Sequence, residues 1–167
     1  GNVDFIWGNN RAALFEESEI RSVVDSASIQ NGGYLVQART VERDDPGFVF
    51  LRSRLTHGPG PAGNLPPPGS VYLARSPGTA HTWDNVAFIG NSVDRHIAAE
   101  AWLRQPAPNP QAADAVSGWR ESGNTAPDGT PRSFGGYRLR EEEARDWSAR
   151  SGIFKRFNGG QGWEPLP

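Results

Sequence analysis

Through residue 93 the apolar positions fall in short runs bounded by turn-forming residues, with none of the i, i+3, i+4 spacing of a helix. Three of these runs superimpose. Leu14-Phe15-Glu16-Glu17-Ser18-Glu19-Ile20, Val49-Phe50-Leu51-Arg52-Ser53-Arg54-Leu55 and Ala87-Phe88-Ile89-Gly90-Asn91-Ser92-Val93 each read apolar, Phe, two variable residues, Ser or Asn, a polar residue, then an aliphatic. Their Phe residues lie 35 and 38 positions apart, and a second strand-like run precedes each copy: 3–7, 34–39 and 71–75. Gly, Pro, Asn and Asp between the runs supply turns.

Two strands plus turns, repeated at that interval, make one coil of a solenoid. The missing helical period excludes an α-solenoid. A β-sandwich also has short strands at regular spacing. Recurrence of Phe and of Ser or Asn at matched positions favours a parallel β-helix, in which like residues stack on strands ~4.8 Å apart. Two Gly/Pro-rich stretches, 56–70 and 105–136, read as irregular loops that leave one side of the coil and wall a groove. Residues 138–147 carry charges at i, i+4 and predict a surface helix, packed outside the solenoid near its C-terminal end.

Composition narrows the partners. With 36% hydrophobic and 22% charged residues, the 167-residue chain suits one globular domain. No apolar run approaches the ~18 residues of a membrane helix, so no membrane partner is expected. A net charge of −2 without a Lys/Arg cluster argues against nucleic acid. Lys155 is the single lysine; the cations are otherwise Arg, suited to fixed carboxylate pairing. Without Cys there is neither disulfide nor thiolate chemistry. Without Met, and with an opening in mid-strand, the chain reads as a portion of a longer protein.

The chemistry-bearing feature is Gly1-Asn2-Val3-Asp4-Phe5-Ile6-Trp7-Gly8. An ionised Asp on a half-buried strand costs several kcal/mol unless it is paired or hydrogen-bonded. Asp4 is therefore either an outward-facing edge residue or a charge with a partner and a use. His57, His81 and His96 show no zinc spacing. No Ser lies in a G-x-S-x-G context and no phosphate loop is present. The expectation is no metal and no cofactor.

With these residues together, the chain resembles the C-terminal part of the pectin methylesterases, aspartyl esterases built on a right-handed parallel β-helix. Residues 1–8 match the family's G-x-V-D-F-I-F-G motif, with Trp7 in place of its second Phe. Leu73-Ala74-Arg75-Ser76-Pro77 is similar to L-G-R-P-W, and Val36-Gln37-Ala38-Arg39 to a T-A-Q-G-R-like strand. Residues 84–97 resemble the strand after the Arg motif, and 159–166 the G-x-x-W-x-P ending. The resemblance implies that residues 1–167 are the C-terminal portion of one β-helix domain that removes methyl esters from pectin, with Asp4 as nucleophile and Arg75 as its cationic partner. It implies a secreted or periplasmic, bacterial, monomeric hydrolase with homogalacturonan as partner. Two departures matter. The Q-D-T segment, with its second carboxylate and oxyanion-stabilising Gln, would lie upstream, so this chain alone is expected to be inactive. Ser76 and Pro77 stand where the family has a sugar-contacting Trp.

Asp4 lies 11 residues before Phe15 and Arg75 lies 13 before Phe88, equivalent strands of the first and third coils. The gap is ~10 Å, which Arg75 bridges if the residue between, Ala38, is small. Arg39, 11 before Phe50, is the competing partner. Trp7 and Trp102 are the expected sugar platforms; Phe15, Phe50 and Phe88 are expected to fill the core. Two other readings stay open: a related hydrolase of other esters or thioesters, and a non-catalytic carbohydrate-binding β-helix.

Overall fold

Phe15, Phe50 and Phe88 stack face to face, with ring centroids 4.8 and 4.5 Å apart, and this column sets the rise from coil to coil. The fold comes from a computed structural model that describes residues 2–25 and 32–164. Gly1 of the first motif and Pro165-Leu166 of the last lie outside the described residues. In chain order the strands are β1 (Val3–Asn10), β2 (Ala12–Glu16), β3 (Glu19–Val23), β4 (Gly33–Thr40), β5 (Gly47–Leu51) and β6 (Arg54–Gly58). They continue with β7 (Val71–Arg75), β8 (Val86–Ile89), β9 (Ser92–Val93), β10 (Trp102–Leu103), β11 (Trp119–Ser122) and β12 (Tyr137–Arg138).

Every pairing among them is parallel. They form three sheets: β1-β4-β7-β10, β2-β5-β8-β11-β12 and β3-β6-β9. The chain is a right-handed parallel β-helix, as expected, of about three turns. Inside lie Leu35, Leu55, Leu73, Val86 and the Phe column, all fully buried except Phe15.

The recurring Ser/Asn is a hydrogen-bonded ladder at the turn between the second and third sheets. Ser53 Oγ accepts from Ser18 N (3.1 Å), Asn91 Oδ1 from Ser53 N (2.8 Å) and Asn124 Oδ1 from Asn91 N (3.0 Å). Asn91 and Asn124 also donate to the Phe50 and Phe88 carbonyls, both at 3.0 Å. Buried turn groups thus find partners in the adjacent coil.

Two expectations are corrected. The stretch 105–136 is not wholly irregular: it contains β11 and the fourth ladder position, Asn124. Its strand is masked by buried charge. Arg120 is 0% exposed and donates to the carbonyls of Val116 (2.6 Å), Pro46 (2.9 Å) and Gly118 (3.2 Å), with its guanidinium 4.1 Å over the Trp147 ring. Burial pushes its pKa down to about 9. Glu121 accepts from the backbone of Phe134 (2.9 Å) and Gly136 (3.0 Å), and burial raises its pKa.

The C-terminal helix is shorter than expected and reaches further. Tyr137-Arg138 is strand, Leu139 is buried, Arg140 is the N-cap, and α1 spans Glu141–Trp147, followed by α2 at Arg150–Ile153. Leu139, Ile153 and Phe154 pack with Val49, Leu51, Ala87 and Ile89, the residues that alternate with the Phe column on the second sheet. The segment is not confined to the C-terminal end. Arg150 Nε lies 2.5 Å from Glu16 Oε2 in the first coil, and Arg52 donates to Ser148 O at 3.2 Å.

Candidate active site

A bulge in β1 presents Asp4. Val3 pairs with Tyr34 but Ile6 with Val36, so three steps on β1 match two on β4. Asp4 has φ of 43°, in the left-handed region that non-glycine residues seldom adopt. Its carboxylate is mostly covered and fully engaged. Arg75, at the end of β7, brings Nε to 2.9 Å from both Oδ1 and Oδ2, and its Nη2 also donates to Oδ2. Gln37 Nε2 lies 3.3 Å from Oδ2. Oδ2 thus has three donors and Oδ1 one. Hydrogen bonding to Asp4 raises the Arg75 pKa above its ordinary value, partly offset by burial.

The expected partnership between coils one and three is therefore present, but not over Ala38. Ala38 is 1% exposed and sits in the core; the group beneath the guanidinium is the Tyr34 ring, with its centroid 5.2 Å from Arg75 Cζ. Tyr34 stacks in turn on Tyr72 at 5.7 Å. Arg39, the competing cation, is occupied elsewhere. It donates to Gln37 Oε1 (3.1 Å) and lies 5.1 Å over the Trp7 ring. Trp7 Nε1 donates to the same Gln37 oxygen at 2.8 Å. Gln37 thus collects Trp7 and Arg39 on its oxygen and points its amide at Asp4, a role the residue pattern alone did not expose.

Trp7 is 59% exposed beside Asp4, with its indole open. Trp102 is different. It is 4% exposed, edge-on to Phe88 at 5.8 Å and parallel to Trp119 at 5.3 Å, so it caps the Phe column instead of offering an open face. The aromatic rings accompanying Trp7 on the first sheet are the half-buried Tyr34 and Tyr72. Tyr72, Glu100, Leu103, Arg104 and Gln105 border a cavity of about 540 Å³, where Trp102 forms part of the wall.

The loop after Arg75 is fastened from within. Ser76 Oγ donates to Ala107 O (3.2 Å) and accepts from Gly78 N (2.9 Å). Asp84, 1% exposed, accepts from Asn109 N at 2.8 Å, and burial pushes its pKa up to about 6. At the end of the third sheet a second polar group assembles, where the histidine spacing pointed to no site: His57, Asp94 and His96 come together. Their separation in sequence gave no hint of it.

No family model matches the sequence, and no curated protein matches it significantly. Solved structures do match. A pectin methylesterase from Yersinia enterocolitica aligns with 95% of this chain and 51% of its own at 23% identity, TM-score 0.68. The pectin methylesterase PemA from Erwinia chrysanthemi aligns with 99% of this chain and 49% of its own at 20% identity, TM-score 0.66. A pectin methylesterase in complex with a hexasaccharide aligns with 100% of this chain and 50% of its own at 20% identity, TM-score 0.65. This chain shares their fold and spans about half their length.

Proposed function

We propose that the chain is the C-terminal portion of an aspartyl ester hydrolase that removes methyl esters from a galacturonate polymer, acting outside the cell or in a periplasm. The observation that carries this reading is the Asp4 carboxylate, held on a strained bulge by Arg75 and Gln37 beside the open Trp7 indole. Strained backbone at a charged, fixed carboxylate is the mark of a functional position. Solved structures that share the fold include pectin methylesterases, which supports the same reaction class.

Oδ1, with one donor against three on Oδ2, is the less engaged oxygen and the one assigned to attack. Its lone pair adds to the ester carbonyl carbon and the carbonyl π pair moves onto oxygen. Collapse expels methoxide, which leaves as methanol with a proton from an acid, and Asp4 is left as an acyl anhydride. Water then adds to the anhydride carbonyl, giving one proton back to the acid that served methanol and one to solvent, and collapse frees the new galacturonate carboxylate and Asp4. The proton donor is assigned to the upstream carboxylate that the family resemblance implies. Arg75 and Gln37 fix the attacking group, which converts a weak nucleophile into an oriented one. Trp7 gives the C–H face of a sugar ring an apolar surface.

The test is Asp4→Asn in the whole protein, assayed for methanol release from methyl-esterified pectin. Loss of turnover with an unchanged melting profile supports the assignment. Retained turnover overturns it, and binding of pectin without turnover in the parent protein would select the carbohydrate-binding alternative.

A further inference from the structure

His57, Asp94 and His96 lie where the third sheet turns back toward the first. His57 sits near the end of β6, in register with Ser22 on β3. Asp94 directly follows β9, and the His96 carbonyl accepts from Val71 N (3.0 Å), the first residue of the strand that ends in Arg75.

His96 is 0% exposed, and among the described residues neither of its ring nitrogens has a hydrogen-bond partner. His57 Nδ1 faces Asp94 Oδ2 at 2.9 Å. Ser22 Oγ, above His57 in the stack, is likewise buried and unpartnered. Both nitrogens of a fully buried imidazole left unsatisfied, beside a buried hydroxyl on the adjoining strand, are a substantial cost unless something occupies them. A proton on His57 would serve the Asp94 contact but would leave both nitrogens of His96 unserved. A water can satisfy some of these atoms. A cation uses one atom from each side chain, and those atoms lie within 4.8 Å of one another.

The donor set is specific. Asp94 Oδ1 is already taken by Arg95 N at 2.6 Å, which leaves Oδ2 turned toward His57. His96 offers a ring nitrogen with no other partner among the described residues. Arg132 holds the supporting turn by donating to the carbonyls of Val93 (2.8 Å), Asp94 (3.0 Å) and Ile97 (3.1 Å). Its charge opposes a cation nearby, so the ligands must be strong ones. Two imidazoles and a carboxylate suit zinc and its transition-metal neighbours, whereas calcium or magnesium would want oxygen throughout.

We propose that His57, Asp94 and His96 bind a divalent transition-metal ion that staples the second coil to the third and steadies the start of β7. The experiment uses the whole protein after chelator treatment, titrated with Zn²⁺ alone and followed by calorimetry and thermal melting, with Co²⁺ absorption as a coordination readout. One equivalent is expected to bind and raise Tm. His57→Gln and Asp94→Asn should each weaken binding more than about tenfold, since loss even of a supporting group costs about 10–100-fold. Either variant suffices if the other fails to fold. His81→Ala should change nothing. Absence of binding and of any Tm shift overturns the proposal, as does binding that survives both substitutions or is lost with His81.

Discussion

Arg75 reaches back across β4 to grip Asp4 on β1, with Nε 2.9 Å from each carboxylate oxygen and the Tyr34 ring beneath its guanidinium. The flat cation is sandwiched between an anion and a π face, so its geometry is fixed in two directions. Lysine would reproduce the charge but not the fork or the stacking. Arg75→Lys is therefore expected to fold normally and to lower kcat on pectin by about 10²-fold, the scale set by misplacing a reacting group by ~1 Å. An unchanged kcat would show that charge alone is enough.

Gln37 and Trp7 should separate in kinetics. Gln37→Ala removes one donor from Asp4 and releases Trp7 and Arg39, so it should lower kcat about tenfold, in line with loss of a hydrogen bond to a charged group. Trp7→Phe keeps an apolar face but loses the bond to Gln37. Trp7→Ala removes the face and should raise KM about tenfold, equivalent to ~1.4 kcal/mol of apolar contact. Steady-state measurement of the three variants checks the split. A pure KM effect from Gln37→Ala would contradict the positioning role.

Asp84 carries a pH signature. Its ordinary pKa is 3.8 and burial lifts it to about 6 in the fold. Between those values the folded protein holds a proton that the unfolded chain has released, so stability falls as pH rises through this window and is lowest above it. Asp84→Asn removes the titration. It should raise stability at pH 8 by at most about 3 kcal/mol, seen as a higher Tm, and the gain should fade toward the ordinary pKa of 3.8 and vanish below it. Melts across that range test it; a pH-independent difference would exclude Asp84 as the source.

The column and the ladder should fail differently. Phe50→Ala empties the middle of the stack and should cost about 3–5 kcal/mol. Asn91→Ala strands the Ser53 N–H and the Phe50 carbonyl and should cost about 1–3 kcal/mol per buried group left unpaired. Denaturant unfolding with an unchanged m-value measures both.

Much of this was legible because a solenoid repeats its chemistry. Phe15, Phe50 and Phe88 announced the coil, and similar offsets from them, 11 and 13 residues, placed Asp4 and Arg75 on equivalent strands two coils apart. β11 was hidden because Arg120 and Glu121 are buried with backbone partners, so the strand looks like solvated loop. Trp102 looked like a platform because the column's need for a terminal cap leaves no periodic trace. The Asp4 bulge and the meeting of His57 with His96 depend on register between coils, which no single run of residues records.

The contacts of Arg150 with Glu16 and of Arg52 with Ser148 give the tail a task beyond covering apolar surface. They belt the last part of the polypeptide to the first two coils, the first of which bears the bulged carboxylate on β1. Trimming the tail would unbuckle that belt, so damage far from Asp4 would be felt there as lost order.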